Sequence, residues 1–515
     1  MVAGALLLSG CGAGAGGADD KSGKAKPSLQ QKDGSGQLPP GAEKAHQDVP
    51  TDPDSGTDYT RDERLSVPAD LVSTFALDVD TASYQYARRT LADGRLPEPG
   101  TVRPEEFVNS FRQDYPRPEG DGFTVTTDGA TPFGESEWTL MRVGLATRGA
   151  TNAYGADRRA PAALTFVVDI SGSMAEPGRL DLVREALRLT TRHLRADDSM
   201  AIVTFSDEAR TVLPMTRLTA GGREEIRAAI EQLEPTDSTN LAAGVETGYA
   251  EAVESRRTGA TNRVVLLSDA LANTGETDAD AILERIGSAR RDHGITLFGV
   301  GVGSDYGDEL MERLTNRGDG HTSYVSDLDQ ARRVFVEQLP RNITLRARDA
   351  KAQVRFDPAT VRDYRLIGYE NRAVADEDFR NDRVDGGEVG PGHTVTALYA
   401  VNLSPGAQGH VATATVRWLD PRTRAPHENS SDIEAASLRG PLWGGGNPRL
   451  ELTAIAAHFA HALRGASDLS SATQLPGALP LPELAARAEK LAARLEDPQV
   501  RELATAIDQA ADLRG

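Results

Sequence analysis

From about residue 162 the chain alternates short apolar runs with stretches of helical period. Residues 163–169 are almost continuously apolar up to Asp169, and residues 180–195 space their apolar positions as one face of a helix. Met200, Ile202, Val203 and Phe205 mark a second strand over 199–206. Helical stretches at 223–233 and 241–256 follow, then the run Val264-Val265-Leu266-Leu267 ending at Asp269. A helix at 279–292, an apolar run at 295–302, a helix at 308–317, a short strand at 322–325 and a helix at 328–339 complete the series. Buried strands separated by helices of this length imply a parallel sheet covered on both faces. Residues 161–340 therefore read as an α/β unit with a doubly wound, mostly parallel sheet.

The flanks have a different period. Residues 123–127, 138–146, 343–356, 364–369, 394–402 and 411–418 are alternating or β-rich, and Gly, Pro, Asp and Asn bound them. Segments 66–160 and 341–425 are expected to combine into a β-rich platform into which the α/β unit is inserted. A Gly- and Pro-rich break at 440–448 leads into a helical segment, 447–515. There Leu452, Ile455, Phe459 and Leu463 share one face, and Leu484, Leu491, Leu495, Val500, Leu503 and Ile507 recur around Pro498. Two helical patterns forming a small cap on the core is the expectation.

With 515 residues and a prior of ~150 residues per domain, about three units are expected. The net charge of -20 argues against nucleic acid and against attraction to anionic lipid, since both partners carry the same sign. Cys11 is the single cysteine, so neither an intramolecular disulfide nor a cysteine-rich zinc site is available. Its setting, Leu8-Ser9-Gly10-Cys11 after a short apolar run, resembles a bacterial lipobox. That resemblance implies a signal segment at 1–11, lipid on the Cys11 thiol, and location at the cell membrane on its extracytoplasmic face. Residues 12–65 hold little to bury and read as a disordered tether.

The chemistry concentrates at Asp169-Ile170-Ser171-Gly172-Ser173. A buried strand would deliver one carboxylate and two hydroxyls to its carboxyl end, where open α/β sheets place their ligand sites. Thr239, in Asp237-Ser238-Thr239-Asn240 ahead of a helix, and Asp269, in Ser268-Asp269 closing the next apolar strand, should reach the same sheet edge. All the donors are oxygen, which selects Mg²⁺, with Mn²⁺ and Ca²⁺ as alternatives, over zinc or copper.

In these residues the central unit resembles a von Willebrand factor A domain. Asp169, Ser171, Ser173, Thr239 and Asp269 match the five positions of its metal-ion-dependent adhesion site. The resemblance implies direct ligation by the two serines, direct or water-mediated ligation by the threonine, and aspartates acting mostly through water. It also implies an open metal position that takes a carboxylate from a protein ligand. Two departures stand out: Ala270 where the family usually has glycine, and Asp237-Ser238 where glycines are common. Asp237 is a possible third carboxylate. In the flanks, Phe75-Ala76-Leu77-Asp78-Val79-Asp80-Thr81-Ala82-Ser83-Tyr84 and Arg103-Pro104-Glu105-Glu106 are similar to the amino-terminal region of the YfbK-type lipoproteins. Tyr364-Arg365-Leu366-Ile367-Gly368-Tyr369-Glu370-Asn371 and Gly392-His393-Thr394-Val395-Thr396-Ala397-Leu398-Tyr399 resemble their carboxyl-terminal region.

Enzyme readings fare worse. Asp78-Val79-Asp80-Thr81 imitates a dehalogenase-type phosphatase signature, but no lysine occurs between Lys44 and Lys351 and no α/β unit begins there. Ser171 and Ser173 lack a Gly-x-Ser-x-Gly elbow. Gly299-Val300-Gly301-Val302-Gly303 lacks a following Gly-Lys-Ser/Thr and reads as a closely packed strand. The expectation is a non-enzymatic, lipid-anchored binding protein for an unidentified protein ligand. The alternative is a scaffold of a cell-envelope complex in which metal mainly stabilises the fold.

Overall fold

A computed structural model describes residues 71–514 except 78–79, 133–136, 150–159, 237, 270–275, 304–307, 319, 340–342, 344, 383, 385 and 466–474. Cys11 and the whole 1–65 segment, together with Asp78, Asp237 and Ala270, lie outside the described residues.

At the centre is a six-stranded sheet in the order β6-β5-β4-β7-β8-β9. Its members are β4 (Ala162–Asp169), β5 (Ser199–Phe205), β6 (Ala209–Arg217), β7 (Thr261–Ser268), β8 (Thr296–Val302) and β9 (His321–Val325). All pairings are parallel except β5 with β6. Every residue of β4 is buried, as expected of a strand covered on both faces. One covering layer includes α3 (Leu180–His193), α4 (Ala220–Glu231) and α8 (Leu328–Arg332); the other includes α5 (Leu241–Glu254), α6 (Glu276–His293) and α7 (Asp308–Arg317). The doubly wound, mostly parallel reading of this unit holds. The alternation of strands and helices did not reveal β6, whose outward residues are exposed and whose centre contains Pro214. Proline is tolerated on such an edge strand because the outer N–H groups need no partner.

Strands before and after this unit pair with one another. One antiparallel sheet runs β1-β10-β14-β15, with β1 (Val72–Ala76), β10 (Ala347–Phe356), β14 (His410–Leu419) and β15 (Pro426–Glu434); β12 (Gly387–Val389) also pairs with β10. The other runs β11-β13-β3-β2, with β2 (Phe123–Ala130), β3 (Trp138–Thr147), β11 (Val361–Ile367) and β13 (Thr394–Leu403). Their facing residues, among them Phe75, Met141, Val143, Val354, Tyr399 and Val416, share one core. Residues of alternate parity on β3 and β13, Leu140, Leu398 and Ala400, point the other way into a helical layer.

That helical layer corrects two expectations. The amino-terminal flank is not only β-rich: α1 (Ala82–Ala92) and α2 (Pro104–Asn109) contribute Tyr84, Leu91 and Phe107 to the helical core, and Phe111 just after α2 joins them. The carboxyl-terminal segment holds three helices rather than two, α9 (Pro448–Leu463), α10 (Leu481–Leu495) and α11 (Pro498–Arg514). Glu496 takes a left-handed conformation at φ 51°. With Pro498 opening the next helix, this breaks the second leucine pattern into two rods, because proline suits the first turn of a helix but not its interior.

Candidate metal centre

β4 leads through α3 to β5 on one side and has β7 on its other side. The carboxyl end of β4 is thus the point where the winding direction reverses and a crevice opens. Val168 pairs with Leu267, so the next residue on each strand, Asp169 and Ser268, meet at the strand ends. The Ser268 hydroxyl donates to Asp169 Oδ2 at 2.6 Å. Asp169 Oδ1 accepts the Ser171 backbone N–H at 2.9 Å, which folds the turn back on its own carboxylate. Ser171 Oγ lies 3.1 Å from Ser173 Oγ. Asp169, Ser171, Ser268 and Asp269 are buried, whereas Ser173 and Thr239 are half-buried.

The loop carrying Thr239 is fixed at both ends. The Thr236 N–H donates to the Ile170 carbonyl at 2.6 Å, and the Asn240 N–H to the Ser206 carbonyl at 2.5 Å. Asn240 Oδ1 then caps α5 by accepting the Ala243 N–H at 3.0 Å. That helix lies so close to the sheet that a Cβ on Gly248 would stand 2.2 Å from Val167 Cγ2, and one on Gly244 2.5 Å from the Phe205 ring. Two glycines therefore let α5 press on β4 and β5 and bring its first residues to the edge that carries Asp169.

Arg179, at the start of α3, also belongs to the site. Its Nη1 donates to Asp269 Oδ2 at 2.7 Å and to the Ser173 carbonyl at 3.1 Å. Its Nη2 pairs with Glu176 Oε2 at 2.7 Å. Nothing in the apolar pattern points to Arg179. The available signal is electrostatic: a cation in the first turn opposes the helix dipole and so calls for a partner elsewhere.

The charges do not balance. One guanidinium faces two buried carboxylates, and Asp169 has hydroxyl and amide donors but no ion pair among the described residues. Burial pushes the Asp169 carboxyl above its ordinary value, the bonds from Ser171 and Ser268 oppose that rise, and the charge of Asp269 adds to it. Asp269 Oδ1 is buried without a hydrogen-bond partner among the described residues. A hard divalent cation fits these residues: it would supply the missing positive charge, and the donors are all oxygens of carboxylates and hydroxyls. Among the described residues no group of three or more His, Cys, Asp or Glu could hold a metal. The arrangement here is a different kind, with two carboxylates and the remaining donors hydroxyl.

The residues that imitated enzyme signatures have other partners. Asp80 is buried; its Oδ1 accepts the Thr322 N–H at 2.8 Å and its Oδ2 the Arg372 guanidinium at 3.1 Å. Gly299 lies in β8, where an added Cβ would stand 2.7 Å from both Met311 Sδ and Thr315 Cγ2.

Comparison with known proteins agrees with this architecture. Residues 163–338 match the von Willebrand factor type A domain family, residues 342–490 the family described as uncharacterized protein YfbK, C-terminal, and residues 54–142 a family described as von Willebrand factor. The chain is 33% identical to the uncharacterized protein YfbK of Escherichia coli over 428 residues, covering 78% of this chain and 72% of that one. It is 26% identical to the uncharacterized protein sll0103 of Synechocystis over 186 residues, 36% of this chain and 42% of that one. Among solved structures, a von Willebrand factor type A protein from Catenulispora acidiphila matches at 15% identity and a TM-score of 0.48, over 76% of this chain and 91% of that one.

Proposed function

The chain belongs to the YfbK family, with a von Willebrand factor type A domain at its centre, and we propose that it is a binding protein that captures a protein ligand through an acidic side chain at a divalent-metal site. Ser171, Ser173 and Thr239 would hold the metal directly, with Asp169 and Asp269 acting mainly through water. When bound, the cation supplies an electrophilic position for a carboxylate. The protein's own residues do the rest. Ser268 and the Ser171 amide orient Asp169, Arg179 orients Asp269, and α5 holds the Thr239 loop against the strand ends.

One observation carries this reading: two carboxylates share a buried crevice with one cation and a set of hydroxyls at the sheet's switch point. A catalytic reading lacks such support: the hydroxyl that meets a carboxylate here, Ser268 at Asp169, is itself buried. The expected outcome is capture of a protein from envelope extracts that chelator abolishes and Mg²⁺ restores. Capture indifferent to chelator would instead favour the scaffold reading, in which metal only stabilises the fold.

The amino-terminal segment completes the proposal. Lipid on Cys11 would tether the protein to the extracytoplasmic face of the cell membrane, with residues 12–65 as a spacer. No helix among the described residues is long and apolar enough to cross a membrane. Cys11→Ser should move the protein from the membrane fraction to the soluble one, and unchanged retention contradicts the anchor.

A further inference from the structure

Arg179 is built into the metal centre more firmly than a surface cation. It is 2% exposed. Its stem crosses the carboxyl end of β8, where a Cβ on Gly303 would stand 2.8 Å from Arg179 Nε. Gly303 has a φ of +92°, so glycine is favoured there by the backbone as well as by the space. The guanidinium ties together two connections: the turn between β4 and α3, through the Ser173 carbonyl and Glu176, and the end of β7, through the Asp269 carboxylate. A side chain packed and bonded in this way is a fixed counter-charge in the structure.

From this geometry we propose that Arg179 sets the charge balance of the centre, weakening its hold on the metal and strengthening the pull of the loaded centre on an acidic ligand. This rests on the metal-site reading above. With Asp169 and Asp269 alone, a divalent cation would be neutralised and the loaded site would have little attraction for a carboxylate. Among the described residues of the centre, adding Arg179 leaves the loaded site one positive charge. Glu176 offsets little of it, because its side chain is 63% exposed and screened by water. The arginine also holds Asp269 Oδ2, leaving the buried Oδ1 as the oxygen available to the metal or its water. Arg179 is a positioning residue that acts on the metal through Asp269 and through space.

This role predicts an effect of unusual sign. Removal of a structural residue loosens a site; removal of a repelling charge beside a cation tightens it. By titration calorimetry with Mg²⁺ alone, Arg179→Met should bind at least about tenfold more tightly than wild type, as expected for loss of a like charge bonded to one of the centre's carboxylates. Arg179→Lys, which keeps the charge, should stay within about threefold, less than ~0.7 kcal/mol. A hexaglutamate peptide serves as the ligand probe, and it should bind the Mg²⁺-loaded wild type more tightly than the loaded Arg179→Met protein. If Arg179→Met fails to fold, Arg179→Gln keeps a donor for the Ser173 carbonyl and allows the same titration. Equal or weaker Mg²⁺ binding by a folded, neutral variant overturns the role of Arg179 and leaves the metal site standing. Absence of Mg²⁺ binding by the wild type defeats both.

Discussion

Asp169 shows how one residue can be costly to the fold and yet central to the proposed site. Folding raises its pKa, chiefly through burial. The carboxylate is therefore disfavoured by folding, and its relative contribution to stability falls as pH rises through the folded value. At neutral pH without metal the charge is a liability. Asp169→Asn removes it while keeping an oxygen for the Ser171 N–H and offering an amide to Ser268 Oγ. In chelator this variant should melt at or above the wild-type temperature. Mg²⁺ should raise the midpoint of the wild type and leave the variant unmoved, since ligand bound only by the folded state stabilises it by mass action. A variant that melts well below wild type in chelator would show that Asp169 is a structural keystone instead. The sequence made Asp169, Ser171, Ser173, Thr239 and Asp269 visible because each stands where an apolar run stops or a helix begins. It left Arg179 invisible, because its role depends on β7 and β8 arriving beside the start of α3.

Elements were legible in proportion to how completely they are buried. β4, with every residue buried, and β7 and β8 stood out as apolar runs. β15, Pro-His-Glu-Asn-Ser-Ser-Asp-Ile-Glu, buries only Ile433 and gave no such signal; its strand character comes from pairing with β14. Helix α9 illustrates the opposite limit, since it is so enclosed that polar Glu451, Thr453 and His458 are buried with its apolar face. Its His458 is 4% exposed and Nε2 has no hydrogen-bond partner among the described residues. Burial, aided by the nearby His461 charge, holds the pKa down at about 3, against a weaker opposing bond to the Pro476 backbone. The unfolded chain takes a proton near pH ~6.5 that the folded helix refuses. Stability conferred by neutral His458 is thus complete above that pH and declines as pH falls toward 3. Between pH ~7 and ~5 the wild type should lose on the order of 2 kcal/mol more than His458→Gln in urea unfolding. Parallel stability profiles for the two proteins would exclude His458 as the source of acid sensitivity.

At the scale of the molecule, the central sheet is held to the flanking sheets by buried polar contacts that its own hydrophobic pattern never announced. Arg263 at the start of β7 meets Glu388 of β12 at 3.0 Å, both side chains fully buried, and Arg348 of β10 lies 3.8 Å from the same carboxylate. On the far edge, Asp80 binds the Thr322 amide of β9 and the Arg372 guanidinium, while Tyr86 of α1 packs edge-on against Tyr324. These groups read in sequence as isolated charges, or in the case of Asp80 as a false catalytic signature, since their partners are distant along the chain. Burying such pairs is expensive, so the desolvation of their charges offsets much of their mutual attraction. Glu388→Ala leaves Arg263 without that carboxylate and should cost about 3–5 kcal/mol in urea unfolding. The double replacement Arg263→Met with Glu388→Leu removes the fully buried pair, leaving only the partly exposed Arg348 of the cluster, and should regain most of that loss. The ion pair is at the amino-terminal end of β7 and the proposed metal centre at its carboxyl-terminal end, so the double variant should retain the wild-type Mg²⁺ affinity. A single variant within about 0.5 kcal/mol of wild type would mean that water relieves the charge and the pair does not hold the two parts together. If the double variant remains as unstable as the single one, the shape of the contact matters more than its charge. Recovery of stability with unchanged metal binding would establish the junction as a charge-matched seam, mechanically separate from the site at the other end of the strand.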